Sequence, residues 1–358
     1  MSAAARRGGG AGEAVCRALA VALCAAACLA GRPARAREIV DMIGRRVRVP
    51  DHVGKVVALS PPATYLVYAL DPAVLAGLNF PLWEDEKRFT AETFRKLPVV
   101  GGQVGEGRQV NMEVLMAIAP DVAVLWTQGP EGDPVDREYE RMLSTLGVPV
   151  VYARFEAIRD YPAALTFMGE LLERRERAAA LRAYAEEVLS RVDRATSTIA
   201  GERRPSVYYA EGLDGLATDG EGSFHTELIP IAGGRNVSQT PSRTHMGMEV
   251  VSAEQVLAWD PEVILVKERA AMERLPGDAR LSGLRAVRER RIFLIPHLPF
   301  NWFDRPPSFM RLLGVQWLAH LLHPDRFPFD AVPETRRFYH LFLGVDLTED
   351  EAREVLGR

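Results

Sequence analysis

Two stretches of this chain repeat one pattern. Met112-Glu113 leads through Val114-Leu115-Met116-Ala117-Ile118-Ala119 into Pro120-Asp121-Val122, and Ala253-Glu254 leads through Gln255-Val256-Leu257-Ala258-Trp259-Asp260 into Pro261-Glu262-Val263. Glutamate and proline stand seven apart both times. Proline disfavours helical backbone in the residue before it, so each unit reads as a short helix forced to stop, then a buried strand. A chain carrying this unit twice is held to two lobes of one design.

The surrounding sequence fits that constraint. Short apolar runs alternate with helical segments: Val56–Leu59, Val122–Leu125 and Val148–Tyr152 in a first set, then Ser206–Tyr209, Val263–Val266 and Ile292–Ile295 in a second. Such alternation implies parallel sheets with crossover helices. The fold class is therefore α/β, with two Rossmann-like lobes joined by a single long interdomain helix. That helix is expected from Asp160 as N-cap to Gly201 as stop, with Leu165, Met168, Leu172, Leu181, Tyr184, Val188 and Val192 on its apolar stripe. Unbroken, it would run about 60 Å. The expected boundaries are 37–157 for the first lobe, 158–203 for the helix, 204–327 for the second lobe and 328–358 for a helical tail.

Arg6, Arg7 and Arg17 precede an apolar run from Ala18 to Ala30 that ends near Ala34-Arg35-Ala36, the order of a secretory signal peptide over residues 1–36. The three cysteines, Cys16, Cys24 and Cys28, all fall inside it. Cleavage would leave no thiol for a disulfide or a thiolate metal site. Cys28 would be a lipid-attachment site only if the leader were of the lipoprotein type, and the leucine expected three residues before it is missing. Without residues 1–36 the chain keeps 39 basic and 47 acidic residues, a net charge of −8. That balance argues against nucleic acid or anionic lipid as the main partner.

In this order, Val57-Ala58-Leu59-Ser60-Pro61, the paired glutamate-to-proline units, Gly220-Glu221-Gly222-Ser223-Phe224, Glu227-Leu228-Ile229, Ala232-Gly233-Gly234-Arg235-Asn236 and Asn301-Trp302-Phe303-Asp304-Arg305-Pro306-Pro307-Ser308 carry a resemblance. The chain resembles the helical-backbone class of periplasmic binding proteins, which serve ABC importers of ferric siderophores, haem and cobalamin. Phe338–Thr348 looks like a branch that includes iron-complex, nickel-complex and molybdate binders. The resemblance implies an exported, periplasmic, monomeric receptor. It would hold no permanent cofactor and would pass a metal complex, iron foremost, to a permease with its ATPase. The other readings are a haem or metallophore carrier, a molybdate binder, or a cofactor-assembly protein.

Candidate ligand groups follow from strand ends, where open α/β sheets place their ligands. Ser60–Thr64, with Pro62 and Thr64, reads either as an anion-binding helix start or as a plain cap. The resemblance puts Asn301 and Arg305 against the ligand, Arg305 as an anion clamp, although the family's usual acidic residue is Asn301 in this chain. Trp302 either joins them or packs beneath their loop. Trp83, Trp126, Tyr209, Phe224 and Met248 would give flat or soft walls to a chelate. No set of histidines suits a bare metal, but His245 or His225 could complete a metal already chelated. Glu113 and Glu254 are expected, by resemblance, to meet arginines of the permease. No Ser-His-Asp set, Gly-x-Ser-x-Gly or Walker loop is present, so no enzyme is expected.

Overall fold

The computed structural model describes residues 36–102, 109–129, 132, 134–240 and 247–357. The leader, Cys28 and His245 lie outside the described residues.

A hairpin, β1 (Ala36–Val40) and β2 (Arg46–Pro50), opens the described chain. Its turn is held by Asp41, which accepts the N–H of Arg45 at 2.9 Å and, from the neighbouring sheet, that of Tyr152 at 3.2 Å. The first-lobe sheet is parallel in the order β3 (Val56–Ala58), β4 (Val122–Thr127), β5 (Val150–Arg154). These strands are apolar runs because both faces are covered by helices. The covering elements include α1 (Pro61–Leu70), α2 (Glu84–Arg88), α3 (Met112–Ile118) and α4 (Pro134–Thr145).

The expected helix from Asp160 to Gly201 is divided. α5 (Tyr161–Leu171) stops, Glu173 takes a left-handed φ of 58°, and α6 (Arg175–Thr196) starts afresh. The apolar stripe was read correctly on both sides, but polar Glu173-Arg174-Arg175 marks a turn and not only a solvated face. The two helices touch closely, since a Cβ on Gly169 would stand 2.3 Å from Cβ of Ala178. It is α6, of 22 residues and about 33 Å, that joins the lobes. At its start Arg174 pairs with Asp71 of the first lobe at 2.7 Å, and at its end the Thr196 hydroxyl donates to the Ile231 carbonyl of the second at 2.9 Å.

The second-lobe sheet is parallel in the order β11 (Ile292–Leu294), β10 (Val263–Val266), β6 (Ser206–Ala210), β8 (Arg235–Asn236). A small antiparallel pair, β7 (Ala217–Thr218) with β9 (Glu249–Val250), lies beside it. The repeated unit returns as α7 (Ala253–Trp259) before β10. Helices α3 and α7 are each seven residues long, each capped by a side chain (Asn111 to Val114 N, Ser252 to Gln255 N). Each also ends on a left-handed residue, Ala119 at 48° or Asp260 at 39°, immediately before its proline.

After α8 (Arg311–Leu322) the tail forms α9 (Ala331–Phe338), a wide turn over Tyr339–Leu343, and α10 (Glu349–Val355). This tail crosses back to the first lobe: the Tyr68 hydroxyl donates to the Leu343 carbonyl at 2.8 Å, and Arg88 pairs with Glu354 at 2.6 Å. Tyr65 of α1 stacks on Phe300 of the second lobe with centroids 3.9 Å apart. One apolar core therefore runs through both lobes, from Val56 and Leu66 to Leu265 and Leu313. Opening the lobes would expose that seam, so large hinge motion is disfavoured.

Candidate functional site

The inner face of the first lobe starts where β3 meets α1. Pro61 and Pro62 fill the first two helical positions and carry no N–H, and the Thr64 N–H is spent on the Ser60 carbonyl at 2.9 Å. The Thr64 hydroxyl is buried, 2.7 Å from Asn79 Oδ1 and 3.2 Å from the Ala58 carbonyl, and Pro62 is buried too. Two backbone donors of this loop are thus absent and the Thr64 N–H is used. Ser60 Oγ is buried without a hydrogen-bond partner.

At the ends of β4 and β5 the first lobe offers aromatic surface. Trp126 lies edge-on to Phe155 (6.4 Å) and, across the interlobe seam, to Phe224 (6.5 Å). The structure therefore brings two expected wall residues, Trp126 and Phe224, together from opposite lobes. Arg311, which the sequence reading missed, holds them there. It donates to the carbonyls of Glu156 (2.9 Å) and Phe224 (3.0 Å) and pairs with Glu227, whose carboxylate also takes the Ile158 N–H at 2.6 Å. Burial, outweighing the pull of Arg311, pushes the Glu227 carboxyl above its ordinary range. An arginine opening the mostly apolar run Arg311–Leu322 was the available signal. A cavity of about 580 Å³ borders this staple along the edge of β8, lined by Glu156, Asp160, Phe224, Glu227, Arg235 and Asn236 among others.

The second lobe keeps its charge inside. Arg305, in a left-handed backbone at φ 52°, reaches Glu211 and Asp219, each at 2.5 Å, and stands 3.5 Å from Asp304. Asp304 in turn pairs with Nδ1 of His225. The three carboxylates are fully buried, and the Arg305 side chain is 13% exposed. Burial first, then Asp219 and Asp304, push the Glu211 carboxyl up to about 9 against the pull of Arg305. Burial also works to raise Asp219, but Glu211, His225 and Arg305 together outweigh it and hold that group below its usual value. At neutral pH Glu211 is an acid and Asp219 a carboxylate, so the arginine's charge is matched from within.

Several expected ligand residues also make internal contacts. Arg305 gives its Nε–H to Glu211 and an Nη2–H to Asp219, so part of its five-donor fork points inward. Asn301 Oδ1 accepts the N–H groups of Phe303 (2.8 Å) and Asp304 (2.9 Å) and shapes its own loop. Trp302 has no exposed surface and donates to the Leu298 carbonyl at 3.1 Å, which settles it beneath the loop. Tyr209 is fully buried against Phe303 at 4.8 Å, and burial pushes its hydroxyl well above the ordinary range. His225 is buried, with its Nδ1 on Asp304. Met248 is exposed, left-handed at 56°, and follows Gly247, where any Cβ would strike the Asp219 carboxylate at 1.8 Å. Trp83 is 75% exposed at the head of α2. Glu113 and Glu254 stand exposed in the first turns of α3 and α7.

The profile of the periplasmic binding protein family matches residues 56–298. The chain belongs to that family. An ABC transporter solute binding protein from Sulfurospirillum deleyianum is 31% identical and superposes with a TM-score of 0.83, covering 90% of this chain and 99% of its own. The molybdate-binding protein MolA of Haemophilus influenzae is 25% identical over 343 residues, 88% of this chain and 93% of the relative. A vitamin B12-binding protein of Salmonella typhi is 26% identical over 253 residues, 70% of this chain and 84% of the relative. This binding protein is thus a solute-binding protein of the ABC-transporter kind, in a family of transport proteins rather than enzymes whose name implies an exported, periplasmic location. Among its described residues no helix is long and apolar enough to cross a membrane, and no group of three or more histidine, cysteine or acidic residues could hold a bare metal ion.

Proposed function

We propose that the protein captures a metal complex between its lobes, an iron chelate being the first to test, and hands it to the permease of an ABC importer. The observation that carries the ligand class is the closed charge balance of the second lobe. A small oxyanion needs free donors, and Arg305 is paired with Glu211 and Asp219 while Pro61 and Pro62 take two N–H groups out of the Ser60–Thr64 loop. What the seam presents is aromatic: Trp126 from one lobe and Phe224 from the other. Flat apolar walls suit a chelate whose metal is wrapped in organic ligand. The test is native mass spectrometry with metal analysis of protein taken from its own envelope. A bound metal with an organic mass is expected; molybdenum with oxygen alone would reject the ligand class.

The second reading, molybdate, is favoured by the relationship to MolA, which spans most of both chains. For molybdate to bind, the Arg305 cluster would have to open. For delivery, Glu113 and Glu254 are the docking groups: both are exposed, both sit at the same place in a duplicated helix, and Glu113→Arg with Glu254→Arg should stop uptake while leaving ligand affinity unchanged. Uptake at the wild-type rate by the double variant would remove them from the interface.

A further inference from the structure

The duplicated helices α3 and α7 agree in more than their glutamates. Each buries the same position completely, Leu115 or Val256, and half-buries the one three residues on, Ile118 or Trp259, against its own lobe's core. With those two turned inward, the apolar residue between them faces water. It is Met116 in the first lobe, 57% exposed, and Leu257 in the second, 38% exposed. Each stands three residues after its glutamate, Glu113 or Glu254, so the two side chains are neighbours on the helix surface.

A single exposed methionine or leucine is ordinary on a protein surface. Its recurrence at one position of a repeated unit is not, because the copies differ nearby, Val114 against Gln255 and Ala119 against Asp260, yet keep this position large and apolar. On the second lobe the apolar surface continues. Val250, in β9 just before α7, is 87% exposed, and the first lobe has Gln109 in the matching place. Leu213, 68% exposed, lies in the turn between β6 and β7, and β7 pairs with β9. Arg280 is within electrostatic reach of both Asp214 in that turn and Glu254, so the turn and α7 border one surface.

We infer that the docking face is apolar as well as acidic: Met116 and Leu257 seat in apolar recesses of the permease beside the cations that Glu113 and Glu254 meet, and Val250 with Leu213 makes the second-lobe contact the larger. The occupant follows from continuity with the glutamates, since a side chain about one turn along the same helix face is covered by whatever covers its neighbour. Exposed charges at an interface set chiefly the rate of encounter, whereas apolar anchors, once dehydrated, set the rate of departure. The inference rests on the docking reading of Glu113 and Glu254 and extends it to groups without charge.

The experiment passes the mature receptor over the permease–ATPase complex of the same transporter, held in lipid nanodiscs, and reads association and dissociation rates at low and at high salt. Met116→Ser should raise the dissociation rate several-fold, and Leu257→Ser with Val250→Ser about tenfold, with association and its salt dependence unchanged. Val40→Ser, at a hairpin valine also 57% exposed, should change neither rate. Glu113→Arg with Glu254→Arg should abolish association. Wild-type dissociation of the tip serine variants, with docking lost in the glutamate pair, would overturn the inference and leave the docking reading intact; equally fast dissociation of the Val40 variant would overturn it too, by reducing the effect to general stickiness. Docking at the wild-type rate by the glutamate pair would overturn that reading, and with it the continuity on which this one rests. Self-association of the wild type in sedimentation, lost in serine variants that still dock normally, would assign the patch to a second copy of the chain instead.

Discussion

The two lobes are alike at their outer tips and unlike at their inner faces. At the tips, α3 and α7 match in length, capping, left-handed stop and following proline, and each exposes a glutamate in its first turn. At the inner faces, the first lobe ties its loops with neutral groups, Thr64 and Asn79, while the second ties its loops with Arg305, three carboxylates and His225. Duplication kept the outer tips alike and let the inner faces diverge. The charge in the second lobe serves to fix three loops, since each ion's nearest partner comes from a different segment.

The largest expected effect comes from breaking that charged tie. Arg305→Ala strips the counter-charge from Asp219 and Asp304 in a buried setting, so stability should fall by about 3–5 kcal/mol in urea denaturation. Unchanged stability would return Arg305 to the ligand and erase the contrast between the lobes. The matching change in the first lobe should be milder. Thr64→Val leaves Asn79 Oδ1 without its buried donor and should cost about 1–3 kcal/mol. If the two variants cost the same, the lobes are stitched by equivalent devices.

The third prediction uses pH. Glu211 has an ordinary value of 4.5 and is pushed to about 9 in the fold, so the folded state binds the proton more tightly than the unfolded one. The stability this adds is complete below about 4.5 and drains away as pH climbs toward 9. Glu211→Gln, neutral at every pH, should therefore lose less stability than the wild type between pH 5 and pH 9, read from denaturation midpoints at each. Parallel curves would place the proton elsewhere in the cluster. The smallest effect belongs to the tips: Glu113→Ala and Glu254→Ala should each leave the thermal melt close to that of the wild type, because both carboxylates are exposed.

The contrast also explains what the sequence could disclose. Tips and strands were legible, because helix stops, caps and apolar runs are local and the duplication showed them twice. The break at Glu173 was hidden, since a polar turn between two amphipathic helices looks like the solvated face of one. Arg305 was found without its internal partners: Glu211 and Asp219 lie far away in sequence, and only folding brings them to its guanidinium. Arg311 and Glu227 were invisible as a pair for the same reason, while Trp126 and Phe224 could each be guessed as walls but not as neighbours across the seam.

The most direct test is calorimetric titration of the purified protein at pH 7 with molybdate and with a metal chelate under identical conditions. With Arg305 paired to Glu211 and Asp219, chelate binding at one equivalent and molybdate binding at least a hundredfold weaker are expected. Tight molybdate binding that disappears in a folded Arg305→Ala variant would contradict the account, because it would show the second lobe's charge reaching out to the ligand.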